Sequence, residues 1–101
     1  MEHQVNLLLE RRSEIALRSL RVVDRNQVLR TLDLLKAVSP SELNQQRLVQ
    51  KVRLVDSQHL VIAQGGRRLR LLMSLEGENC RVLDIVDHDR LERILHERGA
   101  Q

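Results

Sequence analysis

The feature that most constrains this chain is a stretch of alternating residues held between two turn signals. Gly65-Gly66 precedes Arg67–Leu75 (RRLRLLMSL), and Glu76-Gly77-Glu78-Asn79 follows it. Period-two alternation puts Leu69, Leu71, Met73 and Leu75 on one side and Arg68, Arg70, Leu72 and Ser74 on the other. A glycine pair and an acidic glycine turn at the two ends are hairpin connections. The stretch is therefore the middle strand of an antiparallel meander. On one side, Val49, Val52, Leu54 and Val55 lead into His59-Leu60-Val61-Ile62-Ala63. On the other, Cys80–Val86 (CRVLDIV) sets Val82, Asp84 and Val86 against Arg81, Leu83 and Ile85.

The first half carries a different pattern. Val5–Leu9 is an apolar run of strand length. Ser13 is placed to cap a helix from Glu14 to about Val22, with Ile15, Leu17 and Leu20 near one face. Asp24, with Gln27 three residues on, predicts a second cap, and Val28, Leu29, Leu32 and Leu35 recur at helical spacing. These segments form a helical hairpin or one kinked helix. Ser39-Pro40-Ser41-Glu42 starts a short helical turn over about Pro40–Arg47, or else a polar loop. Asp87 or Asp89 starts a last helix, DHDRLERILHERG, with Leu91, Ile94 and Leu95 on its apolar edge and Gly99 as terminator. The predicted class is α+β, a single domain over residues 1–101. An N-terminal strand and helical hairpin pack on an antiparallel β-meander, followed by a short C-terminal helix.

Composition limits what such a domain does. Its 101 residues are 42% apolar and 31% charged, enough to fold around one modest core. Phe, Trp and Tyr are absent, so the core is aliphatic, and neither aromatic base stacking nor tyrosine proton donation is available. The net charge is +3, and arginine dominates the cations; its planar fork suits phosphate and carboxylate. That balance fits a nucleic acid, an acidic peptide or a plain solvated surface. The lone Cys80 cannot pair within the chain. With no secretory leader pattern and no stretch of membrane-span length, the cytoplasm is the expected compartment.

Two constellations could carry chemistry. Arg67, Arg68, Arg70 and Arg81, with Lys51 and Arg53 ahead of the hairpin, could line a cationic face for a phosphate backbone. They could equally pair with Glu76, Glu78 or Asp84. At the strand–helix junction, Asp87-His88-Asp89-Arg90 offers a histidine suited to proton transfer, or simply a helix cap. His3, His59, His88 and His96 contain no pair at the helical ligand spacing, so no metal site is expected. No glycine-rich nucleotide loop or nucleophile elbow is present, and no cofactor is expected. The run Ile15–Leu35 is amphipathic and arginine-rich, which serves the core and could also seat a partner helix.

The element order and the segment Leu60–Leu95 resemble the RelE/ParE superfamily of bacterial type II toxin–antitoxin toxins. The matching pieces are Gly66-Arg67-Arg68-Leu69-Arg70, Glu76-Gly77-Glu78-Asn79, Val82-Leu83-Asp84-Ile85-Val86 and Asp87-His88-Asp89-Arg90-Leu91-Glu92-Arg93-Ile94. The resemblance implies a toxin held by a cognate antitoxin. In the RelE branch it would be a ribosome-dependent, metal-independent mRNA endonuclease that inhibits translation; in the ParE branch, a gyrase inhibitor. By the same resemblance Arg68, His88 and Arg90 would be catalytic, and Lys51, Arg53, His59, Arg67, Arg70 and Arg81 would hold RNA. The family's frequent C-terminal tyrosine is missing near Arg93-Ile94, and Asp89 stands where arginine is frequent. A non-catalytic binding module of the same fold is the third option. Partners are then an antitoxin, the ribosome and mRNA; no membrane is expected, and self-association stays open.

Overall fold

The computed structural model describes residues 5–43, 45–47, 49–53 and 59–97, with the side chains of 40, 41, 51–53 and 59 excepted. The order is β1 (Asn6–Leu9), α1 (Arg11–Ser19), α2 (Val22–Lys36), α3 (Pro40–Leu43), β2 (Val49–Arg53), β3 (His59–Gln64), β4 (Leu69–Glu76), β5 (Asn79–Asp87) and α4 (His88–Glu97). One mixed sheet runs β1-β5-β4-β3-β2, with β1 parallel to β5 and all other neighbours antiparallel. The α+β class and the meander are as expected. The meander has one strand more than the sequence suggested: Val49–Arg53 pairs with His59–Ala63 as a strand of its own.

The sheet has two unequal cores. Val61, Ala63, Leu71, Met73, Cys80, Val82 and Ile85 pack with Val5, with Val28, Leu32 and Leu35 of α2, and with Leu43. Leu60, Ile62, Leu72 and Val86 pack with Leu91 of α4, flanked by Leu83, Ile94 and Leu95. α3 is only four residues long, yet its Leu43 is fully buried. A leucine so placed contributes about 1.5–3 kcal/mol, which anchors a turn too short to stand alone.

The hairpins on either side of β4 differ. Gly77, at φ 58°, closes a two-residue turn between Glu76 and Asn79. Its counterpart is longer than the Gly65-Gly66 turn expected from the sequence. The Gly65 N–H donates to the Leu69 carbonyl at 3.0 Å, leaving Gly66, Arg67 and Arg68 as the loop, with Gly66 at φ 119°. Gly66 also lies directly against the Gln27 side chain, where a Cβ would collide.

Several local expectations are corrected. Leu72 pairs with Asp84 but Met73 pairs with Val82, so Leu83 is the extra residue of a bulge in β5. Side-chain phase reverses there, and Val82 and Ile85 share one core while Leu83 and Val86 serve the other. Ser13 is not a cap: it lies inside α1, fully buried, and its hydroxyl donates to the Val82 carbonyl at 2.7 Å. Asp24 also sits inside its helix, since α2 begins at Val22 after extended Arg21. That extended corner makes α1 and α2 two helices, and Arg25 fastens it by donating to the carbonyls of Leu17, Arg18 and Leu20. Ile15 and Leu29 are exposed rather than buried. Gly99 lies outside the described residues.

Candidate functional site

The last strand delivers Asp87 and His88 to the end of the sheet where the β3–β4 loop turns. Asp87 is the cap of α4, its carboxylate accepting the Arg90 N–H at 2.7 Å, which settles the choice between Asp87 and Asp89. The His88 N–H donates to the Arg68 carbonyl at 3.1 Å and ties the helix start to the loop. Around this joint opens a cleft of about 480 Å³ lined by Arg67, Arg68, Arg70, Asp87, His88 and Asp89. Four of the residues given catalytic or RNA-holding roles, Arg67, Arg68, Arg70 and His88, thus meet in one place.

Their partners divide the work. Arg70 donates to the carbonyls of Leu69 (2.8 Å), Gly66 (3.3 Å) and Arg67 (3.4 Å), so its guanidinium holds the loop in shape. Arg68 stands 3.5 Å from Asp24 of α2, with its side chain 77% exposed, a pair weak enough to open for a ligand. Arg67 makes no side-chain hydrogen bond or ion pair among the described residues. The His88 Nε2 lies 3.6 Å from Glu92, one turn along α4. A phosphate in the cleft would meet two guanidinium groups that are free or easily freed, beside an exposed imidazole.

The other candidates lie elsewhere. Arg68 belongs to the loop, so it does not share a strand face with Arg70. Arg81 sits opposite Ser74, four positions along β4 from Arg70, or about 13 Å away. It pairs with Glu10 at 2.6 Å. Arg90 points its guanidinium toward buried Asp84 at 3.9 Å and does not line the cleft. Lys51 pairs with Val61 in the β2–β3 register, and Arg53 with His59, at the far edge of the sheet. Their side chains lie outside the described residues.

Sequence reasoning named Asp84 only as a possible partner of the strand arginines and missed its contact with Arg12. The Asp84 carboxylate accepts the Ile85 N–H at 2.9 Å and has Arg12 at 4.0 Å and Arg90 at 3.9 Å. It joins α1, β5 and α4 at the bulge. This role left no local signal, because the bulge that buries Asp84 depends on β4. At the opposite end of β5, Cys80 is buried with its Sγ 3.7 Å from Met73 Sδ, and burial pushes its thiol up to about 11.

No family model and no curated protein sequence matches the chain. Solved structures do. A chain of the archaeal RelE–RelB complex from Pyrococcus horikoshii superposes with a TM-score of 0.66 at 18% identity, covering 86% of this chain and 98% of that one. A copper-bound mutant toxin from Helicobacter pylori gives a TM-score of 0.48 at 15% identity, with the same coverage. No helix among the described residues is long and apolar enough to cross a membrane. At such identity the match to the archaeal complex speaks for architecture alone, and the chain has a RelE-like fold.

Proposed function

We propose that this chain is a RelE-type toxin that cleaves mRNA at the ribosome and is held inactive by a cognate antitoxin. The observation that carries this reading is the seating of Arg67, Arg68, Arg70 and His88 around one cleft, locked by the His88–Arg68 backbone bond. The architecture shared with a chain of a RelE–RelB complex supports it.

The chemistry follows from what the cleft holds. The RNA 2′-OH attacks the adjacent phosphorus, and the P–O5′ bond breaks. The products are a 2′,3′-cyclic phosphate and a 5′-hydroxyl. Arg67 and Arg68 face the charge that builds on the non-bridging oxygens. His88 takes the 2′-OH proton or supplies one to the leaving 5′-oxygen. Asp87 holds the start of α4, and with it the imidazole, in place. The ribosome would supply the positioning that so open a cleft lacks. Val22, Val23 and Leu34 of α2 and Ile15 of α1 are exposed (64%, 68%, 56% and 54%) and give an antitoxin an apolar surface to cover.

A second reading is a non-catalytic module of the same fold. It is favoured by the acidic wall of Asp87 and Asp89 and by the Arg68–Asp24 pair, which offset the arginines. Inducing the chain alone in a bacterial host separates the readings. The toxin reading predicts growth arrest with cut mRNA, relieved by Arg68→Ala. Normal growth with soluble protein would support the binding module. Arrest with DNA-damage signalling and intact mRNA would transfer the target to gyrase.

A further inference from the structure

A second cleft, of about 370 Å³, lies on the α2 side of the same loop, lined by Gln27, Arg30, Thr31, Leu34, Gln64, Gly66 and Arg67. Gly66 and Arg67 form the crest between this cleft and the one holding His88, and Arg67 lines both. Three features describe what it would take. No carboxylate lines it, and neither Arg30 nor Arg67 makes an ion pair among the described residues. Gln27 presses its carboxamide against Gly66, which has no side chain to displace it, so a group with both donor and acceptor stands beside the crest. Leu34, 56% exposed, supplies an apolar wall one helical turn from Arg30. Thr31 is already used, its hydroxyl donating to the Gln64 carbonyl at 2.9 Å and fastening α2 to the end of β3.

We infer that this cleft is a subsite for one nucleobase of single-stranded RNA, next to the phosphate held in the His88 cleft. The inference rests on the RNA-cleaving reading above. A chain without aromatic residues cannot stack a base on Phe, Tyr or Trp, but a guanidinium plane serves the same purpose. Arg30 would cover one face of the base, Leu34 would take its apolar side, and the Gln27 carboxamide would read its hydrogen-bonding edge. Arg67, common to both clefts, would hold the phosphate between the two positions. An acidic protein segment would also meet the arginines, but it would gain nothing from a base, so base preference separates the two ligands.

Fluorescence anisotropy with labelled octaribonucleotides tests the subsite in the full chain, using A-, C- and U-homopolymers and an abasic ribose-phosphate octamer. Wild type should prefer its best base over the abasic strand by about tenfold. Gln27→Leu and Arg30→Ala should erase that preference, while Arg68→Ala should weaken all strands alike and keep it. The inference is overturned if wild type binds abasic and base-bearing strands equally, or if Gln27→Leu and Arg30→Ala both retain the preference. It is also overturned if a deca-glutamate peptide binds in an Arg30-dependent way while no base is preferred. Failure of every RNA strand to bind would overturn the subsite alone, since the RNA-cleaving reading leaves positioning to the ribosome and stands or falls on cleavage of mRNA on programmed ribosomes. Arg30 is exposed, so Arg30→Ala keeps the fold and the test stands even if Gln27→Leu does not fold.

Discussion

The β4–β5 ladder carries arginine at both ends, and the two ends are built differently. At the turn end, Arg81 is closed into a 2.6 Å pair with Glu10, above the buried Cys80. At the loop end, Arg67 and Arg68 stand around a cleft with His88, and Arg70 is spent on holding the loop. The difference teaches that an arginine's neighbours decide its use. A guanidinium already satisfied by a carboxylate at short range gives up that pairing to bind phosphate, whereas Arg67 gives up no ion pair among the described residues and Arg68 only a 3.5 Å contact with Asp24.

The sharpest way to break this comparison is to remove the groups assigned to chemistry. His88→Ala should lower mRNA cleavage by about 10²–10⁴-fold, and Arg68→Ala by about 10²–10³-fold, measured as the cleavage rate on programmed ribosomes. If either variant matches wild type, the loop end has no special standing. Asp87→Ala acts through position rather than contact. Losing the α4 cap should cost about 1 kcal/mol in urea unfolding and reduce cleavage less than His88→Ala does; Asp87→Asn, which can still cap, should restore both.

The turn end should answer to stability instead. The Cys80 thiol is raised to about 11 from an ordinary 9.0, so the native state keeps a proton that the unfolded chain loses. Stability from this group is complete below about pH 9 and falls as pH rises toward 11, by about 1.4 kcal/mol per pH unit. The chain has no tyrosine to titrate in that range, so Cys80→Ala should visibly flatten the alkaline limb of a urea-midpoint profile. The smallest effect belongs to Arg81→Ala. Its partly exposed pair with Glu10 is worth about 0–1 kcal/mol, and cleavage should change less than about twofold. A large loss of cleavage in Arg81→Ala would reunite the two ends into one RNA surface.

Much of the framework was legible because its signals are local. Glycine turns and period-two alternation marked β4 and β5, Asp87 marked the start of α4, and Val28, Leu32 and Leu35 marked the buried side of α2. What escaped depends on neighbours distant in sequence. Ser13 looks like a cap, but its hydroxyl is taken by Val82, 69 residues away. The bulge at Leu83 shows only against β4, and it reverses the facing of every residue after it. Arg68 keeps the parity of Arg70 in sequence but leaves the strand because the loop is one residue longer than Gly65-Gly66 implies. Of the candidate site, the association of Arg68 with His88 was foreseen. Its separation from Arg81 was not, since alternation fixes a face and not a distance along it.

The central claim is that the loop-end cleft cuts RNA. Mapping mRNA 5′ ends at nucleotide resolution on ribosomes incubated with purified protein tests it most directly. The account predicts new ends carrying 5′-hydroxyls with wild type and with Arg81→Ala, and about 100-fold fewer with Arg68→Ala. Intact mRNA with folded wild-type protein, or undiminished cleavage by Arg68→Ala, would contradict it.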